Sequence, residues 1–398
     1  MPAGTPARLN GGVRILFTAN PFIGHVYPML PLMHAARAAG HEVVLATGAD
    51  VVPDVQRRGF STWTVGPALG DVFADLAQAS AVPAESPEQQ LHRDAVHLFA
   101  RPGVRRARDL VPMATAWRPD VVVSEIAEPA GREIAVVTGA LPVTHGFGTH
   151  VPNTRALAGV IFEHVGAELG TPNRLASFET GIYLDPCPPG LQSAEFSVND
   201  LRPIRPDTGH ATPEDRLPPE FRELPARPLV YVTLGTVFTN PGLVGGIVDA
   251  LQELPISIAI TTGPGSDPSV LGPRPSNVAA APFVPQSLIL PTASAVVSHA
   301  GSGTMLGALA AGLPQVCLPQ GADQFANAER VQAVGAGVRL LPDEVGPDRL
   351  RAAVEAVLDE PAYARAARVL QAEIAAMPSA TEVLDDLVRQ VRVGRPAA

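Results

Sequence analysis

The sequence predicts an α/β chain of two doubly wound, Rossmann-like domains facing each other across a cleft. Nearly uninterrupted apolar runs, such as Val13–Phe17 and Leu229–Thr233, each open a series of strand, loop and helix; such runs mark parallel strands buried on both faces. The series occurs twice, and a Pro-rich tract from Asp185 to Pro228 separates the two copies. The 398 residues, 46% hydrophobic and 17% charged, are enough for two cores of ordinary size.

In the first half, Val13–Phe17 is the first strand and Thr18 to His25 its loop. Pro28 suits the first turn of a helix that stops at Gly40. His41–Thr47 is the second strand. Residues 66–118 alternate short helical patterns with Pro and Gly breaks, and Ser80–Gln90 is the least regular stretch, the kind that forms lids or binding loops. Asp120–Ser124 is a strand with Glu125 at its carboxyl end, and Leu141–His145 is another. Ligands in open α/β sheets bind outside the carboxyl ends of strands. His25 and Glu125 therefore fall where chemistry is expected.

The second half repeats the pattern. Leu229–Thr233, Ser257–Thr261 and Val278–Ala281 are strands, with Leu234-Gly-Thr236 the loop after the first. The domains are then 1–200, a linker 201–228, 229–377, and a terminal helical segment 378–398.

The densest signal is Val297-Ser-His299-Ala-Gly301-Ser302-Gly303-Thr304. A short apolar strand runs into tiny residues and then an Ala/Leu/Gly helix. The helix start carries roughly half a positive charge and unpaired N–H groups. Gly301 and Gly303 let a diphosphate approach the backbone, and His299 lies within reach of the same anion. The sixth position of Gly301-x-Gly303-x-x-Leu306 is neither Gly nor Ala, so this is not a dinucleotide fingerprint, and the P-loop lysine is missing. Ser302 does not sit in the Gly-x-Ser-x-Gly of a nucleophile elbow. Further on, Pro319-Gln-Gly-Ala-Asp323-Gln324 offers a carboxylate and an amide side by side for adjacent sugar hydroxyls.

Together, His299-Ala-Gly-Ser-Gly-Thr304 and Pro319-x-x-x-Asp323-Gln324 resemble the donor-site signature of family 1 GT-B glycosyltransferases. The resemblance is to the actinobacterial branch that decorates macrolides, anthracyclines and enediynes such as calicheamicin, and it extends over essentially the whole chain. It implies an inverting transfer of a sugar from a nucleoside diphosphate to a hydroxyl of a hydrophobic natural-product aglycone. His25 matches the family's catalytic histidine, a side chain suited to general-base work near neutral pH. Glu125 aligns with its acidic partner, although Glu128 is close by. Thr236, His299 and residues 301–304 would hold the diphosphate, and Asp323 and Gln324 the donor sugar. Phe283-Val284 resembles the base-binding element, with Phe283 stacking on the pyrimidine and the Val284 backbone pairing with its edge. The resemblance places the terminal helix on the N-terminal domain and allows a homodimer.

Two departures refine these expectations. Members that use UDP-sugars often carry a Glu that binds both ribose hydroxyls where this chain has Gly307. Its loss matters least for a deoxyribose, so TDP fits better than UDP and TDP-deoxysugars are the expected donors. No Asp-x-Asp triplet occurs, so a metal-independent enzyme with no cofactor beyond the co-substrate TDP-sugar is expected. Phe22, Trp63, Phe73, Phe99, Phe147 and Phe162 are candidates for an apolar acceptor pocket, and His145 and His150 lie near it. The remaining histidines (34, 41, 92, 97, 164 and 210) read as surface or packing residues.

Other classes fit less well. The net charge of −10 speaks against nucleic acid as a partner. Two distant cysteines without metal spacing, no apolar leader core and no membrane-length apolar run point to a cytoplasmic protein. A catalytically silent auxiliary protein of a glycosyltransferase, and a UDP-sugar-dependent transferase or sugar-nucleotide epimerase of the same architecture, are the competing readings. The presence of His25, Glu125, Asp323 and Gln324 together argues against the first, and an acceptor-free assay separates the epimerase.

Overall fold

In the computed structural model every strand pairing among the described residues is parallel, and the strands form two sheets. The described residues are 12–81, 84, 86–207, 211, 215–235, 241–263 and 265–393. The first sheet contains β1 (Arg14–Thr18), β2 (Glu42–Thr47), β3 (Ser61–Thr64), β4 (Val121–Glu125), β5 (Leu141–His145), β6 (Ile182–Asp185) and β7 (Asp200–Pro203). Their order is β3-β2-β1-β4-β5-β6-β7. The second contains β8 (Leu229–Thr233), β9 (Ser257–Thr261), β10 (Val278–Ala281), β11 (Ala295–Ser298), β12 (Gln315–Cys317) and β13 (Gly337–Arg339), in the order β10-β9-β8-β11-β12-β13.

Both orders reverse direction beside the first strand, between β1 and β4 and between β8 and β11. Connections leave to opposite faces there and open a crevice at the carboxyl ends. Thr18 pairs with Ser124 in one sheet and Thr233 with Ser298 in the other. The residues that follow these four positions include His25, Glu125, Gly235 and His299.

Three expectations change. His25 lies on a one-turn helix, Ile23–Val26, rather than in a loop. Phe22 is extended at its start, and a 3-10 turn, Tyr27–Met29, joins it to the helix Leu30–Ala38. Pro28 and Pro31 lack N–H groups and sit in the first turns of the two later segments, which breaks the helix into pieces. The tract read as linker from Asp185 also has structure: β7 falls at 200–203 and extends the first sheet past the expected boundary. Cys187 and Leu191 pack with Met305, Leu306, Cys317 and Leu370 in a core of the second lobe. The chain thus leaves β6, anchors in the other lobe and returns to β7. Both cysteines are free thiols.

The terminal helix Ala380–Val393 buries Val383, Leu384, Leu387 and Val388 in the first lobe's core with Val26, Met29 and Leu30. Each such side chain contributes about 1.5–3 kcal/mol when fully buried, enough to hold the C-terminal segment on the opposite lobe. No helix among the described residues is long and apolar enough to cross a membrane.

Candidate active site

His25 is one-fifth exposed (19%) and Glu125 is buried (1%), with Nδ1 of the imidazole 3.0 Å from Oε1 of the carboxylate. Glu125 is held from several sides. Its Oε1 accepts from the Asn20 side-chain amide at 2.6 Å and from the Asn20 N–H at 3.3 Å, and its Oε2 accepts from the Ala127 N–H at 2.6 Å. Burial alone would raise the Glu125 pKa, but the imidazole and these donors leave it below the usual carboxylate range. Burial likewise opposes a charged His25, yet Glu125, with a smaller contribution from Asp323, holds its pKa above the ordinary value. Glu125 thus stabilises the protonated form of the imidazole relative to the neutral one.

Glu128 has another task. It pairs with Arg106 at 2.9 Å, both side chains being fully buried, and its two oxygens accept from the N–H groups of Ala130 and Gly131 at 3.0 and 2.9 Å. It therefore caps the helix Ala130–Thr138. Arg106 also donates to Asn20 Oδ1 at 3.3 Å, supporting the amide that holds Glu125.

Three of the six candidate aromatics surround the dyad and a fourth backs one of them. Ring centroids of Phe22, Phe147 and Phe99 lie 5.1, 4.9 and 6.5 Å from that of His25, and Phe73 stands edge-on to Phe22 at 6.1 Å. Phe99 is carried by a π-helical turn, Val96–Ala100, a form frequent at functional sites. The other two lie elsewhere: Trp63 packs edge-on against Trp117 and Phe162 against Phe178. His145 is buried with Nδ1 against the Gly146 carbonyl, and burial pushes its pKa down to about 4, which makes it a core residue. His150 tilts against Phe196 at 5.4 Å.

Across the cleft, β11 ends at Ser298 and the helix Ser302–Ala310 begins with Gly301 in extended conformation and no side chain capping it. The His299 ring is buried against the backbone of Gly235 and Gly301, where a Cβ at either glycine would overlap it. Burial lowers the His299 pKa to about 4, so near neutrality it is a neutral imidazole able to donate one N–H. Asp323 opposes that shift. Its charge thus acts on His25 and His299 alike, and the three residues share one electrostatic site.

Ser302 Oγ donates to Asp323 Oδ2 at 2.6 Å, and Gln324 folds its Oε1 back onto the N–H groups of Gln320 and Gly321 at 2.8 and 3.2 Å. Gln324 is buried and stiffens its own loop, whereas Asp323 is half-buried. Thr304 Oγ1 lies 2.7 Å from Gln286 Nε2, which ties the helix start to the Phe283-Val284 loop. Phe283 is 43% exposed and so lies outside the core, whereas Val284 is buried and anchors the loop. Thr236 lies outside the described residues, as does His210. Among the described residues, no group of three or more His, Cys, Asp or Glu side chains is arranged to hold a metal ion.

Sequence reasoning missed several contributors. Asn20 and Arg106 act behind Glu125 and have no local signature. Asn327, four residues after Asp323 on the helix Gln324–Ala333, could have been found from its helical spacing. Ala300 and Ala322 adopt left-handed backbone, φ 61° and 53°, one in the loop after β11 and one in the loop after β12. Such strain costs roughly 1–3 kcal/mol per residue and gathers at functional sites.

Comparison with known proteins agrees with this geometry. The family model for the N-terminal domain of erythromycin biosynthesis protein CIII-like proteins matches residues 34–212, and that for their C-terminal domain matches 246–390. The chain is similar to the L-demethylnoviosyl transferase of Streptomyces niveus, with 33% identity over 97% of this chain and all of the relative. Among solved structures it is similar to the glycosyltransferase VinC in complex with DTDP, with TM-score 0.77 and 28% identity over 96% of this chain and 100% of that one. It is also similar to the spinosyn rhamnosyltransferase SpnG complexed with spinosyn aglycone, with TM-score 0.78 and 26% identity over 95% of this chain and 100% of that one. From the paired sheets with their facing switch points and from these whole-length matches, the chain belongs to the family 1 GT-B natural-product glycosyltransferases.

Proposed function

We propose that this glycosyltransferase moves a deoxysugar from a TDP-sugar to a hydroxyl of a hydrophobic, polyketide-type aglycone, with inversion and without a metal ion. The observation that carries this reading is the His25–Glu125 dyad, walled by Phe22, Phe99 and Phe147 and acted on by Asp323 of the other lobe. With Nδ1–H directed to Glu125, the lone pair of His25 lies on Nε2. The acceptor hydroxyl gives its proton to Nε2, its oxygen bonds to the anomeric carbon, and the bond to the diphosphate breaks with its electrons leaving on TDP. Glu125 stabilises the imidazolium formed. The uncapped helix start at Ser302 and the neutral His299 would stabilise the leaving diphosphate; a preorganised donor contributes roughly 2.7–4 kcal/mol in a comparable acyl transfer.

The DTDP bound by VinC and the aglycone bound by SpnG support the two substrate classes. Gly307, in place of a ribose-binding Glu, supports TDP, whose deoxyribose lacks one of the two hydroxyls such a Glu would bind. The apolar walls support an acceptor class that includes macrolides, anthracyclines and enediynes. The free buried thiols fit a reducing compartment, and we place the reaction in the cytoplasm.

The test combines calorimetry with product analysis. TDP should bind more tightly than UDP, and His25→Ala should bind TDP normally while losing turnover. The product should carry the opposite anomeric configuration to the donor by NMR. Equal or tighter UDP binding would overturn the TDP preference, and unchanged turnover in His25→Ala would overturn the base assignment.

A further inference from the structure

Asn327 is fully buried and touches both lobes. Its Nδ2 donates to Ala300 O at 2.9 Å, Ser302 Oγ at 3.0 Å and Asp323 Oδ2 at 2.8 Å. Its Oδ1 accepts from Thr149 Oγ1 at 2.6 Å and from the Thr149 N–H at 3.4 Å. Thr149 lies in the loop after β5 of the first lobe, next to Gly148, where a Cβ would overlap Ser302 Oγ. The loop therefore abuts the start of the helix Ser302–Ala310 with no side chain between. On the same face of the Asn327 helix, Arg330 donates to the carbonyls of Leu191 and Gln192 at 2.8 and 3.1 Å, which fixes that helix against the strap between β6 and β7.

We propose that Asn327 is the positioning residue that couples the donor half of the site to the acceptor lobe, because one buried amide joins Asp323, the donor-helix start and Thr149. This rests on the donor assignment above. The amide has two N–H groups for three acceptors, so its bonds are shared. When Asp323 turns toward a ligand, Nδ2 is released to Ala300 O and Ser302 Oγ, and the amide moves with Thr149 attached. Both Asp323 bonds use Oδ2, so Ser302 and Asn327 answer to one oxygen. Burial makes each link costly to lose, since an unpaired buried polar group is strongly disfavoured.

The experiment uses the full chain, Thr149→Val and Asn327→Ala, with TDP as probe, read by calorimetry and amide hydrogen exchange. In the parent, TDP should slow exchange both in residues 302–310 and in residues 146–150. In Thr149→Val, which keeps the side-chain volume, TDP should bind within about twofold of the parent and still protect 302–310, while protection of 146–150 is lost. Asn327→Ala should lose the same protection, and its melting temperature shows whether it folds. Protection of 146–150 that survives in Thr149→Val, or is absent from the parent while 302–310 is protected, would overturn the coupling. Failure of TDP to bind the parent would instead overturn the donor assignment.

Discussion

His25 Nδ1 and Glu125 Oε1 are 3.0 Å apart at the ends of adjacent strand connections, so the sheet itself sets the dyad's geometry. Asn20, backed by Arg106, and Ala127 fix the carboxylate and leave the imidazole one hydrogen bond on that side. The charge on Glu125 holds the His25 pKa above its ordinary value, and that charge can be removed without changing shape.

Glu125→Gln should lower kcat by roughly 10²–10⁴-fold, the range for a general base or its orienting partner. A base works when deprotonated, so activity falls as pH drops through the His25 pKa. Without the carboxylate that pKa falls, and the acid limb of the pH–rate profile should move to lower pH. A limb that stays in place would show that another group titrates there. One donor that now meets Glu125 would face an amide N–H₂, so melting should be measured alongside.

Phe283→Ala should weaken TDP binding by the value of one base stack, about 1–3 kcal/mol, or roughly 5- to 150-fold in Kd. Melting should barely change, because the ring is exposed and not part of a core. Calorimetry on the variant and on Phe283→Trp gives the comparison, with the tryptophan binding more tightly. Unchanged affinity in both would remove Phe283 from the nucleotide site.

Asp185 gives a stability test away from the chemistry. Burial raises its pKa to about 6, partly offset by the Gln192 amide and the Cys187 N–H. Between the unfolded value near 3.8 and the folded value, the native state binds more protons than the unfolded chain. This residue's contribution therefore falls as pH rises through that window, by about 3 kcal/mol in total. Asp185→Asn removes the dependence, so denaturant midpoints compared at pH 4 and pH 7 should shift upward at pH 7 relative to the parent. A parallel pair of curves would contradict the assigned pKa.

Gly148→Ala probes the contact between lobes. The added methyl would meet Ser302 Oγ and Cβ, so the lobes must separate to accept it. Transfer should fall at least tenfold while TDP affinity stays close to that of the parent, because the expected TDP contacts lie in the second lobe. Equal loss of both would place the damage within the donor site.

The sequence by itself determined the two doubly wound sheets, the dyad's approximate place and the loops that follow β11 and β12. Parallel strands announce themselves as apolar runs, and a βα unit presents whatever follows each strand to the crevice. His25, Glu125, His299 and Asp323 were legible because each is local to such an end. Tertiary structure decided what depends on distant partners. Arg106 claims Glu128 and leaves Glu125 for His25. Trp63 and Phe162 pair with Trp117 and Phe178 instead of facing the dyad. The Pro-rich tract became a strap and an edge strand because Cys187 and Leu191 found a core in the other lobe and β7 found β6. Which of two nearby carboxylates is free, which aromatic stays exposed and which amide spans two lobes depends on packing between segments that local sequence does not link.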